Sequence, residues 1–225
     1  MNLASDFIKL DRSTQLNFLE SAVIIGAGYS IDNNVKKFSQ KNLSTFNNGL
    51  FSIDNYYGSG YTIIEIGGLY SYGLLFNEKE ARRLGLQTIE AVGYSGIIES
   101  VLKSMVGRSR PYVNKGKANF LPFNFSAANT SFPSGHSTVS FAVSTVLANN
   151  TDNIYIKILC FSVSSLVSCA RIYHNDHFLS DVITGSLIGY LSGDYVSNRP
   201  SSCKLGERNI SLNFSLTGIN FSLAF

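Results

Sequence analysis

Apolar positions recur at helical spacing along most of this chain and at every second position only at its end. From a cap at Asp11 or Ser13, Leu16, Phe18, Leu19, Val23 and Ile24 predict a helix that Gly26 and Gly28 then weaken. The polar, lysine-bearing segment Asp32 to Asn42, with Val35 and Phe38 three apart, reads as a short surface helix. Tyr, Gly, Ser, Asp and Asn cluster between Asp54 and Tyr61 and mark a turn, after which a helix resumes at about Thr62. Asn77-Glu78-Lys79-Glu80 has the form of a capping box ahead of a long helical pattern that ends at about Val106. Arg108 to Ser131 is a loop of more than 20 residues, a length that favours a functional role. Helical spacing returns after Ser134, with Val139, Ala142, Val143 and Val146 on one side, and stops at Asn149-Asn150. Thr151 or Asp152 caps a further helix to about Ile172, and a last one holding Val182, Ile183, Leu187, Ile188 and Leu191 fades near Pro200. In the tail, Ile210, Leu212, Phe214 and Leu216, then Ile219, Phe221, Leu223 and Phe225, alternate with other residues on either side of Thr217-Gly218, which is strand spacing. The pattern predicts an all-α helical bundle over residues 1–200, one domain, with residues 201–225 as a C-terminal β-hairpin or strand packed on it.

Composition narrows the environment. Charged residues make up 15% of the chain, against about 25% in an average soluble domain, so much of the surface is neutral or meets something apolar. A net charge of +3 without a long basic run does not fit a nucleic-acid partner. The apolar runs long enough to span a bilayer are interrupted by Glu65, by Glu90, Glu99 and Lys103, by Lys157 and by Asp181. The expectation is therefore a soluble or peripheral protein with membrane contact, rather than a polytopic one. Met1 to Leu10 lacks the pattern of a secretory signal, so a periplasmic or envelope location requires that a signal has already been removed. Cys160, Cys169 and Cys203 are odd in number and give no disulfide framework.

Three polar clusters interrupt the apolar segments. Arg171 to Asp181 places a guanidinium, two imidazoles and two carboxylates between two apolar runs, where they must face a cavity, a ligand or one another. His177 and Asp181, at i and i+4, are spaced to meet on one helix face. A carboxylate on one ring nitrogen would fix the tautomer and leave the other nitrogen as nucleophile. Pro133-Ser134-Gly135-His136 opens a helix: Ser134 is a natural cap, the first-turn N–H groups form an anion site, Gly135 permits close approach, and His136 lies beside any bound phosphate. Lys103 and Arg110 lie seven apart, on nearly one side if the helix persists, with Pro111 ending it. Taken alone, such cations are ordinary surface charge more often than a site, and a lone His at a helix start is more often structural than catalytic.

Together the ordered clusters Lys103, six residues, Arg110-Pro111; Pro133-Ser134-Gly135-His136; and Arg171, five residues, His177, three residues, Asp181 resemble the type 2 phosphatidic acid phosphatase superfamily. That superfamily includes bacterial acid phosphatases, lipid phosphatases and vanadium-dependent haloperoxidases. The resemblance covers about residues 84–194. One departure is Ala170, where the family has Ser before the arginine of the third motif. His174 matches no motif position and reads as a polar turn residue.

The resemblance implies a helical phosphatase that needs no metal or other cofactor. His177 attacks phosphorus to give a phosphohistidine, Asp181 orients it, and His136 protonates the leaving oxygen and later activates water. Lys103, Arg110, Arg171 and the backbone N–H groups at Ser134 and Gly135 hold the phosphate oxygens. The implied substrate is a phosphate monoester or pyrophosphate, with the low charge content and Phe120, Phe123 and Phe125 favouring a lipid. Two rival readings stay open. One is a haloperoxidase that holds vanadate as cofactor where the phosphatase would take it as inhibitor. The other is a non-catalytic envelope protein that retains the fold.

Overall fold

The structure, a computed structural model, describes residues 12–199 together with residues 210–215 and 218–223. Among the described residues seven α-helices are formed: α1 (Arg12–Lys41), α2 (Thr45–Phe51), α3 (Gly60–Leu75), α4 (Lys79–Val106), α5 (Gly135–Asn149), α6 (Ile154–Tyr173) and α7 (Leu179–Asn198). A 3₁₀ turn, Ser52–Asn55, precedes α3.

Where a break was expected in α1 there is none. The helix runs through Gly26 and Gly28 and absorbs the segment expected as a separate surface helix. Gly28 is a point of close approach instead: a Cβ there would lie 2.7 Å from Ile183 Cδ1 of α7. The capping box expected at Asn77 does not form, since Glu78 is the N-cap of α4 and makes no side-chain cap bond. Asn153, not Thr151 or Asp152, caps α6 by accepting the Tyr155 N–H at 2.9 Å. α4 stops at Gly107, whose φ of 58° is the left-handed conformation that glycine adopts without steric cost.

α5 lies at the centre, with α4, α6 and α7 packed around it and α1 against α7. Its surroundings are built from small and hydroxylated side chains. Ser137, Thr138, Ser140, Ser144, Thr145, Ser164, Ser168 and Thr184 are buried, and the apolar cluster among them is Ala91, Ala142, Val146 and Val196. The hydroxyls are satisfied by short bonds: Ser164 Oγ donates to Ser140 O at 2.8 Å and lies 2.7 Å from Ser144 Oγ, and Ser168 Oγ donates to Ser137 Oγ at 3.0 Å. Burial of these groups therefore leaves no unmet donor. The large apolar side chains point the other way. Leu16, Leu19, Val23 and Ile24 of α1, the apolar positions that predicted the helix, are exposed, as are Ile63 and Ile64 of α3, Ile97 and Val101 of α4, and Ile158 and Leu159 of α6. Among the described residues α6 is the one helix long and apolar enough to cross a membrane by itself.

The ends that matter converge. The Ser134 N–H donates to Asp181 O at 3.0 Å, joining the starts of α5 and α7, and the Tyr112 N–H donates to Asn175 O at 3.1 Å, joining the loop after α4 to the α6–α7 turn. The three sequence motifs thus meet at one end of the bundle. In the tail, Ile210–Ser215 pairs antiparallel with Gly218–Leu223. The expectation that this segment packs on the bundle concerns side chains outside the described residues.

α7 meets α5 through Gly185, Gly189 and Gly193, one residue per turn. A Cβ on Gly189 would strike the Thr138 carbonyl and come within 2.8 Å of Ala142 N, whereas Gly26 faces open space. Gly189→Ala is expected to destabilise the protein by about 1–3 kcal/mol, the usual cost of overpacking. Gly26→Ala should leave stability unchanged or raise it. Thermal unfolding of both variants beside the wild type checks the pair.

Candidate functional site

One guanidinium organises the site. Arg108, 1% exposed, is held by two buried carboxylates, donating to Asp32 Oδ2 of α1 at 2.7 Å and to Asp181 Oδ1 of α7 at 2.5 Å. It also donates to Ser180 Oγ at 2.8 Å and to the Lys117 carbonyl at 3.0 Å. Asp32 in turn accepts from the Ser180 N–H at 2.9 Å and from Ser180 Oγ at 2.7 Å. A buried charge needs this density of partners, because desolvation is repaid only by close, multiple bonds. The Phe178 ring lies 4.3 Å from the guanidinium and adds a cation–π contact.

This network fixes His177 through an intermediary. Asp181 sits at the third position of α7, where its side chain turns back to accept the Phe178 N–H at 2.8 Å. The same oxygen accepts Ser131 Oγ at 2.6 Å, and the Ser131 carbonyl accepts His177 Nδ1 at 2.6 Å. Because a carbonyl only accepts, Nδ1 carries the proton and Nε2 keeps its lone pair. The expected direct pairing of His177 with Asp181 is corrected: the two lie 3.9 Å apart, beyond hydrogen-bonding distance, and both carboxylate oxygens are committed elsewhere. Burial, reinforced by the cations Arg110, Arg171 and Lys103, holds the His177 pKa well below the ordinary imidazole range. The ring is therefore neutral at neutral pH.

The predicted cations lie near enough to His177 to act on its charge. Lys103, in the last turn of α4, forms an ion pair with Glu99, and both abut the first turn of α5: a Cβ on Gly135 would lie 2.8 Å from Glu99 Oε1 and 3.4 Å from Lys103 Nζ. Arg171 donates to Asp54 Oδ2 at 2.7 Å and to Asp176 Oδ2 at 2.5 Å. Arg110 reaches Asp176 Oδ1 at 3.4 Å and Thr130 Oγ1 at 3.5 Å. His136, in the first turn of α5, feels the charges of Arg171, Asp54, Lys103 and Asp176, so Lys103 and Arg171 act on both imidazoles. The Nε atoms of Arg110 and Arg171 are buried and without a partner. Donors left in that condition are costly, and an anion would satisfy them.

Ser134 requires a second correction. It is the N-cap of α5 by position, but its side chain makes no cap bond, and its N–H is already given to the Asp181 carbonyl. The N–H groups available to an anion are those that follow, beginning at Gly135. His174, expected to be a turn residue, bonds Asp54 Oδ2 at 3.0 Å and shares that oxygen with Arg171. The family's Ser position, Ala170, is buried.

Sequence reasoning missed Arg108, Asp32, Asp54, Ser131 and Asp176. Arg108 and Asp176 fall within the spacers of the motifs. Asp32 and Asp54 stand far from them in the chain, where no periodic pattern picks them out. Of the charges that interrupt the apolar runs, Glu90 pairs with Arg199, Glu99 with Lys103 and Asp181 with Arg108, whereas Glu65 is exposed and Lys157 half-buried.

Comparison with known proteins gives the same picture. A family model described as the PAP2 superfamily matches residues 84–199. A PA-phosphatase related-family protein of Dictyostelium discoideum is 27% identical over 163 residues, which is 64% of this chain and 60% of that protein. The lipid A 1-phosphatase of Rhizobium etli is 32% identical over 108 residues, 47% of this chain and 46% of that protein. The chain thus spans between 46% and 60% of these relatives' length. Among solved structures, LpxE of Aquifex aeolicus shares the fold with a TM-score of 0.61 at 24% identity, covering 75% of this chain and 96% of that one. The first transmembrane PAP2 type phosphatidylglycerolphosphate phosphatase from Bacillus subtilis matches with a TM-score of 0.64 at 25% identity, covering 86% of this chain and 96% of that one. Its transmembrane nature overturns the expectation of a soluble or peripheral protein. The interrupting charges on which that expectation rested are in large part paired inside the bundle, and the outer helix faces are apolar. Covering half of the chain and every motif-bearing residue, the family match establishes that the chain belongs to the PAP2 superfamily.

Proposed function

We propose that this chain is a membrane-embedded phosphatase that removes a terminal phosphate from a lipid phosphate monoester or pyrophosphate, through a phosphohistidine at His177 and without a metal ion. The observation that carries the reading is a neutral, buried imidazole, held by its Nδ1 on the Ser131 carbonyl and lying within the electrostatic reach of Arg110, Arg171 and Lys103. Lipid A and phosphatidylglycerolphosphate, named for the relatives and the solved neighbour, support a lipid substrate. So do the exposed Phe120, Phe123 and Phe125 on the loop beside the site. The apolar outer faces and polar, small-residue interior suit helices that are solvated by lipid and associate through close packing and hydrogen bonds.

Nε2 attacks phosphorus in line while the bond to the leaving oxygen breaks, and His136 donates the proton that oxygen needs. As positive charge develops on the His177 ring, its Nδ1–H bond to Ser131 O strengthens. Lys103, Arg110, Arg171 and the first-turn N–H groups from Gly135 onward hold the equatorial oxygens. Water then attacks the phosphohistidine, giving its proton to His136 and releasing inorganic phosphate.

Phosphate release from a panel of phosphatidic acid, isoprenyl pyrophosphate, phosphatidylglycerophosphate and a soluble aryl phosphate, in EDTA, tests the reading. His177→Ala is expected to abolish turnover; hydrolysis surviving that change, or halide oxidation with vanadate and peroxide in place of phosphate release, would overturn it. Arg171→Gln should lower kcat by about 100- to 1000-fold, as removal of one donor to a developing charge does elsewhere. His177 makes a defined contribution to the pH profile of kcat/KM. Its depressed pKa means the reactive neutral form is lost only as pH falls through a value well under the usual range. The rate should show no loss from this group between about pH 8 and about pH 6.

A further inference from the structure

We propose that Asp176 determines specificity at this site: its carboxylate stands between Arg110 and Arg171 where phosphate oxygens belong, and a doubly charged terminal phosphate displaces it while a singly charged diester does not. The inference rests on the phosphatase reading above and adds a residue that none of the three motifs contains.

Arg171 has two carboxylate partners of unequal permanence. Asp54 is 0% exposed and enclosed, whereas the Asp176 side chain is 24% exposed at the mouth of the site. Asp54 therefore remains as the fixed brace of Arg171 when Asp176 departs. Asp176 spans the two arginines, with Oδ2 at 2.5 Å from Arg171 and Oδ1 at 3.4 Å from Arg110. This is the bridging geometry two oxygens of one phosphate would adopt, but the fit is incomplete, for the Arg110 contact is long and both arginines keep a buried Nε without an acceptor. A tetrahedral dianion offers more oxygens and more charge than the carboxylate, and reaches the donors that Asp176 leaves unmet.

Release needs no rearrangement of the chain. The Asp176 N–H donates to Arg171 O at 3.1 Å, so the backbone stays pinned while the side chain rotates outward to water. The contest then depends on charge. A terminal monoester brings two negative charges against one on Asp176, while a diester brings one, with one fewer free oxygen, and gains little by the exchange.

The test uses the full-length protein with inorganic phosphate as competitive inhibitor and a matched pair of substrates, an aryl phosphate monoester and the bis-aryl diester. In Asp176→Asn the Ki for phosphate should fall about tenfold, equivalent to about 1.4 kcal/mol, and the monoester-over-diester ratio of kcat/KM should shrink by a similar factor. Asp176→Glu, which keeps the charge, should stay near wild type in both. A Ki that is unchanged or raised in a protein melting at the wild-type temperature overturns the proposal, the rise showing Asp176 to be a permanent brace for the arginines. A shift in Ki without change in the ratio overturns the specificity role. Phosphate binding measured directly by calorimetry separates the two readings. If the wild type hydrolyses no ester, the phosphatase assignment fails; if it does and Asp176→Asn binds phosphate no more tightly, this inference alone fails.

Discussion

The geometry of the site depends on one buried cation. Arg108 draws Asp32 of α1 and Asp181 of α7 onto one buried guanidinium, and from Asp181 the order passes through the Ser131 hydroxyl and carbonyl to His177 Nδ1. Each link is short and each member is buried, so the imidazole is held by a chain of bonds with no slack in it. Removing any one charge would strand the others in a low-dielectric interior, where an unpaired ion is far more costly than the pair. The tautomer of His177 is thus a property of the whole helix assembly.

The later helices were legible from periodicity, although their capping bonds were not. α5 and α7 fall where the spacing of Val139 to Val146 and of Val182 to Leu191 puts them. α1 was misread because glycine's helix penalty, about 1 kcal/mol, is outweighed when the missing side chain lets α7 come close at Gly28. The direction of the apolar faces was not legible at all. A stripe at helical spacing looks the same whether it faces a core or a lipid, and here Leu16, Leu19, Val23 and Ile24 face outward while serines and threonines fill the middle.

At the site, the ordered motifs identified His136, His177, Lys103, Arg110 and Arg171, which the fold brings to one end. The reading of Asp181 failed for a local reason. His177 precedes the helix and Phe178 is its N-cap, so the i, i+4 rule for a helix face does not apply, and a carboxylate at the third position folds back on the backbone. The partners that complete the network, Asp32 and Asp54, come from segments before the matched region and become neighbours of Arg108 and Arg171 only through tertiary packing.

The glycine seam between α5 and α7 has a mechanical consequence. Where backbone lies on backbone there is no layer of side chains to re-pack, and such a contact resists sliding. His136 and Asp181 ride on the two helices joined by this seam, so their spacing is set by backbone packing rather than by side chains that could re-pack. The long loop between α4 and α5 and the segment from α2 to α3 lie outside the seam, so their sequences are free to diverge without disturbing it.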